Sequence, residues 1–600
     1  MTTIKFYKRI LLSVAISAMG LCLPACDDDN EPQPGTGIET AQWSAVNDAD
    51  LKGETLIYEF EAPAKWTATS EEDWCEILTP SGYSGLSSLR IKVAPNEGKL
   101  GRSTDVSVQI EGYKEPCVLT IRQGEGVVEK GEGRFRDINQ WTYELMSENY
   151  LWNENIPDLI LDHSLHYDRF FESILDGVAE IDDANHEDGF WIDGVRQMYY
   201  SVIESNAPAS RAAGDRYTDS GIFLQATILG ANDDAPCGFA VMWVTPGSPA
   251  ANAGVVRGDF ISKVNNIPVT QTNYQSLGNQ VINGNVTIDL NNVEFDNGVA
   301  TVTNRIPSVL VGKASYVDPA IYKSNVFTAS NGKKIGYLLY MGFHIDYDQE
   351  LIDIFNNFKN EGIDELIVDL RYNIGGHVLS SAVLGTLVAG QPYAGQTYLH
   401  TAYNAKRKAA GEEGFYRIGD ASNPEMPNGY DMIANALNSS LGLNNIYVIC
   451  SVNTASASET FINGLRGLGI NVNLIGTRTR GKNCGMEGWR KKAGNYTFTL
   501  QPITFYCENA KGFRDYSAGF KPDVEYDDSA IYPGNFGTMD DVLSSIAITW
   551  ATNGQKPNIQ SNNVSRSGKI GIKVLKSTKD MERPLTRRPG GSRTAVIKDM

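Results

Sequence analysis

The sequence predicts a multidomain chain in which an all-β region, a small helical module, a second β-rich region and an α/β region follow one another. Three observations predict this order. Residues 38–126 alternate apolar and polar side chains between Gly- and Pro-rich turns. Residues 134–210 place apolar side chains three and four positions apart. Residues 311–552 repeat strand, loop and helix with polar residues at strand ends, where open α/β sheets bind their ligands.

The first 25 residues predict a cleaved signal peptide, because a basic start precedes an apolar run that ends at small residues. The run is too short to span a bilayer comfortably. The sequence Leu-Pro-Ala-Cys that ends at Cys26 resembles a bacterial lipobox, which implies that Cys26 is lipidated. Residues 26–37 predict a tether. We therefore expect a membrane-anchored lipoprotein of the outer membrane or cell surface of a Gram-negative bacterium; an ordinary signal peptide with a chance cysteine is the alternative.

Charge and composition exclude several classes of function. The net charge of −20 argues against a nucleic-acid partner. The last fifty residues are the exception, with 11 Lys and Arg against 3 Asp and Glu, and residues 553–600 predict a basic flexible tail. The cysteines form no CxxC pair and the six histidines are scattered, so we predict neither a metal nor a cofactor. A disulfide between Cys75 and Cys117 stays open.

The all-β region resembles a BACON domain. The resemblance rests on Trp66-Thr67-Ala68, Asp73-Trp74-Cys75, Arg102 and the closing Ile121-Arg122-Gln123. It implies a small immunoglobulin-like sandwich, a fold that is often attached to surface enzymes and in which glycan binding is suspected. Trp66 and Trp74 are candidates for stacking on sugars, but aromatic side chains more often fill sandwich cores.

Residues 215–310 resemble a PDZ domain of the bacterial protease type. The motif is Ser-Pro-Ala-Ala-Asn-Ala-Gly from Ser248, a Gly-Asp turn, and the Asn-Asn-Ile-Pro-Val hairpin that ends at Val269. Such a domain implies capture of a polypeptide C-terminus by strand addition, with the carboxylate on backbone N–H groups of a Gly-containing loop. Gly221, Ile222 and Phe223 match that loop. A degenerate PDZ domain with a structural role only is the alternative.

A hydroxyl-rich turn, Asn453-Thr454-Ala455-Ser456-Ala457-Ser458-Glu459, lies between an apolar run typical of a buried strand and a helical pattern. A strand-to-helix turn projects a side chain from a fixed backbone, and the N–H groups at the helix start are able to bind an oxyanion. The turn is therefore a candidate site for a nucleophile. Taken alone, it is better explained as a helix cap.

Three stretches together resemble the S41 family of C-terminal processing peptidases: Asp369–Gly376, Thr454–Glu459 and Gly481-Lys482. The resemblance covers about residues 134 to 550 and includes the order of helical module, PDZ domain and α/β core. It implies a ClpP/crotonase-like fold for residues 311–552.

The same resemblance implies roles for individual residues. Ser456 matches the family's nucleophile and Lys482 matches its general base. The N–H of Gly375 or of Gly376, with that of Ala457, matches the oxyanion hole; the choice between the two glycines stays open.

A Ser/Lys pair has a chemical requirement, because a serine hydroxyl needs a base and a lysine is a base only when its pKa is lowered by burial. Many relatives carry Gln four residues after the lysine, where this chain has Met486, with Glu487 beside it. Either other groups orient Lys482 or Glu487 substitutes in part, although an ionised Glu would raise the lysine pKa. His377 and His400 do not match family positions, which argues against a Ser-His triad.

The sequence thus predicts a serine endopeptidase that recognises polypeptide C-termini through a PDZ domain and cleaves peptide bonds with a Ser/Lys dyad. The alternative is a catalytically inactive surface lipoprotein that binds glycan or peptide. Substrate identity, oligomeric state and the sign of PDZ regulation do not follow from the sequence.

Overall fold

The computed structural model describes most of the chain. The described residues are 9–12, 44–49, 53–70, 72–96, 102–113, 116–123, 135–156, 163, 165–181, 187–192, 195–205, 216–230, 235–296, 299–420, 431–493, 496–529, 531–558, 573–575 and 597–599. Cys26, the tether and the predicted signal peptide, except residues 9–12, lie outside them. The chain divides into two compact units, residues 1–141 with 159–173 and residues 142–158 with 174–600.

The first unit contains a sandwich of two β-sheets. Its strands are β1 (Arg9–Leu12), β2 (Ser44–Ala49), β3 (Glu54–Ala62), β4 (Trp66–Ser70), β5 (Cys75–Ile77), β6 (Ser81–Gly82), β7 (Gly85–Val93), β8 (Arg102–Ile110) and β9 (Cys117–Gln123). One sheet has the order β1-β3-β7-β5 and the other β2-β9-β8-β4-β6. Residues of both sheets, among them Tyr58, Ile91, Val108 and Leu119, share one buried apolar core. The predicted all-β sandwich is confirmed.

The sandwich core includes one of the two candidate tryptophans. Trp66 is fully buried, and its indole N–H donates to a serine hydroxyl at 3.0 Å. Trp74 is half-buried under the guanidinium of Arg102, which lies 4.4 Å from the ring centroid. The core interpretation is confirmed for Trp66. Cys75 and Cys117 are buried free thiols, so no disulfide joins them.

The predicted helical module is shorter than expected. Its helices are α1 (Arg136–Asn149) and α2 (Tyr167–Ile181). The region from residue 189 to 205, which the sequence analysis assigned to this module, forms instead β10 (Gly189–Ile192), β11 (Val195–Tyr199) and β12 (Val202–Ser205). The reason is non-local: β12 pairs with β30 (Tyr496–Gln501), and such pairing overrides a local helical pattern.

The PDZ region is a β-sheet with two helices. Its elements are β13 (Arg216–Asp219), β14 (Ile222–Ile228), β15 (Cys237–Val244), α3 (Pro249–Asn252), β16 (Phe260–Val264), β17 (Ile267–Pro268), α4 (Tyr274–Asn283), β18 (Val286–Asp296), β19 (Val299–Val311) and β20 (Ala314–Val317). The main sheet runs β19-β18-β16-β15-β14, and β13 pairs with β20. Apolar residues of β14, β16, β18 and α4 form its core.

The α/β region is built on a six-stranded sheet, β21-β22-β23-β26-β27-β32. Its strands are β21 (Ile321–Thr328), β22 (Lys334–Tyr340), β23 (Glu365–Asp369), β26 (Asn445–Cys450), β27 (Asn471–Gly476) and β32 (Val524–Glu525). All pairs are parallel except β21 with β22. The strands predicted at residues 334–340, 365–371, 446–450 and 472–475 are confirmed with small shifts of their ends.

Both faces of this sheet are buried, which explains its continuous apolar runs. Val368 and Val448 face helices α5 (Asp348–Glu361), α6 (Val378–Ala389), α8 (Met432–Ala436) and α9 (Ala457–Gly467). Ile367 and Ile449 face α10 (Val542–Asn553) on the other side.

Smaller elements complete the second unit. They are α7 (Ala405–Ala409), the sheet of β25 (Gly414–Arg417), β24 (Thr397–Tyr403), β31 (Ile503–Glu508) and β28 (Cys484–Met486), strand β29 (Gly488–Ala493) beside β30, and the 3-10 turns Asn153–Asn155, Ile345–Tyr347, Gln391–Tyr393 and Leu437–Ser439. Within the described residues no helix has the length and apolar character needed to cross a membrane.

Two short segments of the predicted flexible tail are strands in the described part of the chain. β33 (Lys573–Val574) pairs with β14, and β34 (Ile597–Asp599) pairs with β29. Backbone pairing with existing sheet edges needs little apolar character, so the polar composition of residues 553–600 gave no sign of it.

Candidate active site

Three neighbouring parallel strands carry all the predicted catalytic segments. β23 is followed by the loop 370–377, β26 by the turn 451–456, and β27 by the loop 477–483. Because β23, β26 and β27 are adjacent and parallel, their carboxyl ends meet at one edge of the sheet. The fold therefore brings the three motifs together, as the spacing of strands and loops predicts.

Ser456 has an unusual backbone conformation. It immediately precedes α9 with φ of 56° and ψ of −119°, a region that non-glycine residues rarely adopt. Its neighbours Ala455 and Ala457 are buried, whereas Ser456 is half-exposed. Strain of this kind persists only where the surrounding structure imposes it, and it is frequent at active sites.

The other hydroxyl groups of the turn tie it to the loop after β23. Thr454 donates its hydroxyl to the carbonyl of Leu370 at 2.8 Å, and Ser458 donates to the carbonyl of Asn373 at 3.0 Å. The Ala455 N–H donates to the same Asn373 carbonyl at 3.2 Å. The hydroxyl-rich composition thus serves to fix two loops against each other.

The glycine loop lies directly against Ser456. A Cβ on Gly375, where φ is 106°, would lie 2.7 Å from the Ser456 Cβ, so only glycine permits this approach. The Gly375 N–H donates to the Asn373 side-chain oxygen at 2.9 Å. Within the described part of the chain, no acceptor is found for the N–H groups of Gly376 and Ala457.

Glu459 joins the serine segment to the lysine segment. One of its carboxylate oxygens accepts from the N–H of Ser456 at 3.1 Å and from the N–H of Lys482 at 2.8 Å. The other accepts from the Gly481 N–H at 2.7 Å and the Thr479 hydroxyl at 2.6 Å. Glu459 is fully buried. Burial raises its pKa to about 7, although these hydrogen bonds act to lower it.

Lys482 has the environment that a neutral amine requires. The residue is 5 % exposed, and its Nζ lies 4.8 Å from the ring centroid of Tyr200. Burial lowers the pKa of Lys482 below its ordinary value, while the Cys484 thiol and the Asp188 carboxylate act in the opposite direction. The preceding Gly481 is obligatory, since a Cβ there would lie 1.9 Å from the Ser517 carbonyl oxygen.

Glu487 is held in an ion pair away from its position in the motif. Its carboxylate pairs with the guanidinium of Arg407, which also donates to Glu412 at 2.7 Å. Glu487 is not among the groups with the largest effects on the pKa of Lys482. The ion pair with Arg407 offsets the negative charge that its sequence position places beside the lysine.

The acidic group that does act on Lys482 comes from a distant segment. Asp188 is fully buried and accepts the N–H of Ser201 at 2.8 Å and the hydroxyl of Tyr150 at 2.9 Å. Sequence analysis missed Asp188, Tyr200 and the role of Glu459. Glu459 was inside a recognised motif, whereas no local signal distinguishes Asp188 or Tyr200.

The two histidines have other surroundings. His377 precedes α6, and burial lowers its pKa to about 4. His400 lies on β24, where its Nδ1 is 3.0 Å from a Glu508 carboxylate oxygen and its ring stacks on Phe415. No group of three or more His, Cys, Asp or Glu side chains suited to a metal ion occurs in the described parts of the chain.

Arg371 anchors the glycine loop. It is 1 % exposed and donates to Asp369 at 2.8 Å and to Asp541 at 2.6 Å. Asp541 also receives the guanidinium of Arg257, from the PDZ region, at 3.2 Å. We call Arg257, Asp541 and Arg371 the Asp541 bridge. The Arg371 guanidinium is buried and engaged by these carboxylates, so it anchors the start of the glycine loop.

The side chains of the predicted carboxylate-binding loop in the PDZ region point in different directions. Gly221 has φ of 75°, and a Cβ there would lie 2.1 Å from the Ser248 Cβ. Ile222 points into the PDZ core. The Phe223 ring instead stacks on Trp243 at 4.0 Å, and Trp243 lies 4.8 Å from the Tyr372 ring. We call Phe223, Trp243 and Tyr372 the aromatic stack; it joins β14 to the base of the glycine loop.

Comparison with known families agrees with this geometry. Residues 334–526 match the profile described as Peptidase family S41, and residues 137–190 match the Peptidase S41 N-terminal domain. The chain carries an S41 peptidase domain. Residues 241–291 match the PDZ domain profile and residues 64–124 match the BACON profile, so the peptidase domain is accompanied by both predicted modules.

Solved structures of similar fold include proteases. A crystal structure assigned as an S41 protease from Bacteroides fragilis NCTC 9343 is 25% identical and has a TM-score of 0.55, covering 69% of this chain and 97% of that one. The photosystem II D1 C-terminal processing protease aligns at 14% identity with a TM-score of 0.38, covering 69% and 98%. Curated protein sequences contain no significant match.

Proposed function

We propose that this S41 peptidase is a serine endopeptidase in which Ser456 is the nucleophile and Lys482 the general base. The observation that carries the proposal is the Glu459 carboxylate, which accepts the backbone N–H groups of both residues on a single oxygen. The strained backbone of Ser456 and the lowered pKa of Lys482 support it.

In the proposed reaction the neutral amine of Lys482 accepts the proton of the Ser456 hydroxyl while Oγ attacks the scissile carbonyl carbon. The tetrahedral intermediate collapses to an acyl-enzyme, and the lysine ammonium gives its proton to the departing amine. Water, deprotonated by the same amine, then attacks the ester carbonyl carbon. The bond to Ser456 Oγ breaks, Oγ takes the proton from the lysine ammonium, and the new C-terminus is released. Each half-reaction returns Lys482 to its neutral form.

We assign the oxyanion hole to the N–H groups of Gly376 and Ala457. These two donors have no acceptor within the described residues, whereas the Gly375 N–H is already engaged by Asn373. Gly375 then has a different task, which is to let the loop approach Ser456. Donors held in place before the reaction stabilise the developing negative charge without reorganisation.

The PDZ domain would recruit the substrate through its C-terminus. Among the strands formed by residues 216–317, β14 lies at the edge of the main sheet, and the Gly221 loop lies at the start of β14. An extended peptide that adds to this edge would direct its carboxylate to the backbone of Gly221, Ile222 and Phe223. Phe223 would contribute its N–H and not its ring.

We also propose that the protein is an outer-membrane lipoprotein anchored through Cys26. The lipobox resemblance supports this, and Cys26→Ser is expected to abolish incorporation of a labelled fatty acid. Equal labelling of the wild-type chain and the variant would contradict it. The BACON domain is proposed as a spacer or adhesion module, with glycan as its candidate ligand.

The catalytic assignment is tested with a serine-reactive phosphonate probe and an unstructured substrate. Ser456→Ala and Lys482→Ala are each expected to slow labelling and cleavage by at least about 10³-fold. Lys521→Ala, on an exposed loop lysine, serves as the control and is expected to have no effect. Undiminished cleavage by Ser456→Ala would refute the assignment, and a folded wild-type chain that never reacts would favour the inactive binding protein.

A further inference from the structure

The outer edge of β14 is occupied by the chain itself. β14 pairs on one side with β15, and on its other side with β33 of the tail. Val574 lies opposite Thr227 and Lys573 opposite Ile228, in antiparallel register. This edge is the one at which strand addition of a peptide would take place.

The direction of the tail strand is that of a bound C-terminal peptide. Its residue numbers rise from 573 to 575 as the opposing numbers in β14 fall from 228 to 226, and the Leu575 N–H donates to the Ala226 carbonyl at 3.1 Å. The tail therefore runs towards the Gly221 loop. In a ligand that kept this register, the fourth residue after the one opposite Ala226 would lie opposite Ile222.

A side chain of the tail also contributes. Leu575 is half-buried and packs against the apolar core of the PDZ domain, which includes Leu224, Leu277 and Val281. In strand addition the backbone supplies affinity and an apolar pocket selects the side chain. Leu575 provides both contacts, a backbone hydrogen bond to β14 and an apolar side chain packed against the core.

Charge also favours this contact. The last fifty residues carry an excess of eight positive charges, whereas the net charge of the whole chain is −20. A basic segment is attracted to an acidic body over distances of about 10 Å at moderate ionic strength. Leu575 is followed by further residues of the sequence, so the segment 573–575 carries no free carboxylate.

We propose that the segment around residues 573–575 is an internal ligand of the PDZ domain, which occupies the edge of β14 and competes there with polypeptide C-termini. The inference rests on the proposed role of the PDZ domain in binding such termini. Because the internal ligand lacks a carboxylate at the loop, a substrate terminus displaces it. A substrate terminus therefore has to bind the edge of β14 tightly enough to displace the tail.

The test compares Leu575→Asp with Leu585→Asp, the same change ten positions later, both in a Ser456→Ala background that prevents cleavage. The probe is a fluorescein-labelled decapeptide that ends in Lys-Val-Leu with a free carboxylate, measured by anisotropy. Leu575→Asp is expected to lower the probe Kd by about tenfold. This change corresponds to a tail that occupies the edge of β14 in about nine of ten molecules before the substitution. Leu585→Asp is expected to leave the Kd unchanged.

Hydrogen exchange of β14 is measured on the same proteins, because it reports the docking without any added ligand. Peptides covering residues 222–228 are expected to exchange faster in Leu575→Asp than in Leu585→Asp. Equal exchange, or equal probe Kd values in the two variants, would overturn the internal ligand. A probe that binds neither variant would instead refute the proposed recognition of C-termini, and the exchange rates alone would then decide the internal ligand.

Discussion

Lys482 lies between influences of opposite sign. Burial lowers its pKa, and the carboxylate of Asp188 with the Cys484 thiol raises it. Asp188 receives two backbone N–H groups, from Tyr200 at 3.1 Å and Ser201 at 2.8 Å, so its position is fixed. Asp188 thereby limits how much of the amine is neutral at a given pH.

Asp188→Asn is expected to shift the pH profile of the phosphonate reaction. In the proposed mechanism Lys482 acts as a neutral amine, so the labelling rate is expected to rise as pH increases through the Lys482 pKa. Removing the negative charge lowers that pKa, and the acidic limb of the profile is expected to move to lower pH. The amide oxygen of Asn still accepts both N–H groups.

The measurement is the pseudo-first-order labelling rate as a function of pH. Asp353→Asn, on the exposed face of α5, is the matched control. A limb that stays in place, or that moves to higher pH, would show that Asp188 has no electrostatic role at the amine.

Glu459→Gln is expected to loosen the site and to destabilise the chain. A side-chain amide would turn its NH2 group towards two N–H or O–H donors that now share a carboxylate oxygen. Leaving buried donors unsatisfied costs about 1–3 kcal/mol in the free energy of unfolding, and labelling of Ser456 is expected to slow. Urea unfolding and the labelling rate are measured for Glu459→Gln and for Glu361→Gln, an exposed control. If Glu459→Gln changed neither measurement, Glu459 would have no positioning role.

At the scale of elements, a single carboxylate joins three of them. Asp541 caps α10 by accepting the Ser544 N–H at 2.9 Å, and it is the centre of the Asp541 bridge. Burial alone would raise the pKa of Asp541, but the two guanidinium charges outweigh burial and hold that pKa well below its usual range. The helix, the glycine loop and the PDZ turn are thus fixed together.

Asp541→Ala is expected to lower the free energy of unfolding by about 3–5 kcal/mol, because two buried guanidinium groups lose a partner. Asp540→Ala changes the exposed neighbour and is expected to be neutral. Since the folded pKa is depressed, this stabilisation is present above the unfolded Asp pKa of about 3.9 and is lost as pH falls below it. Chemical unfolding at two pH values checks both statements; equal losses for the two variants would contradict them.

Local patterns predicted the elements that carry the candidate site better than their surroundings. The strands and turns around Ser456 and Lys482 are contiguous in sequence, and their parallel order places them at one sheet edge. The partners of these residues are not contiguous: Asp188 approaches Lys482 across the fold, and Arg407 neutralises Glu487 from another element. Pairing of β12 and β33 with distant strands likewise leaves no periodic signal, which is why a helical module and a flexible tail were expected there.

At the scale of the whole molecule, the candidate site belongs to one compact unit. Every residue of the serine turn, the glycine loop and the lysine loop lies between residues 174 and 600. A chain that begins at residue 130, without the BACON domain, is expected to react with the phosphonate within about twofold of the full chain, since separate domains fold on their own cores. The labelling rate checks this, with Ser456→Ala in the shortened chain as control; loss of reaction in a folded shortened chain would show that the sandwich supports the site.

The aromatic stack and the Asp541 bridge end on consecutive residues, Tyr372 and Arg371, at the start of the glycine loop. The PDZ domain is consequently part of the wall that holds this loop, as well as a module that contains a peptide groove. Excising it would uncover Tyr372 and leave Asp541 with one guanidinium fewer, so a deletion would disturb the proposed oxyanion donors and remove the proposed peptide-binding domain at the same time. Substitutions confined to the tail therefore test the proposed regulation without disturbing the glycine loop.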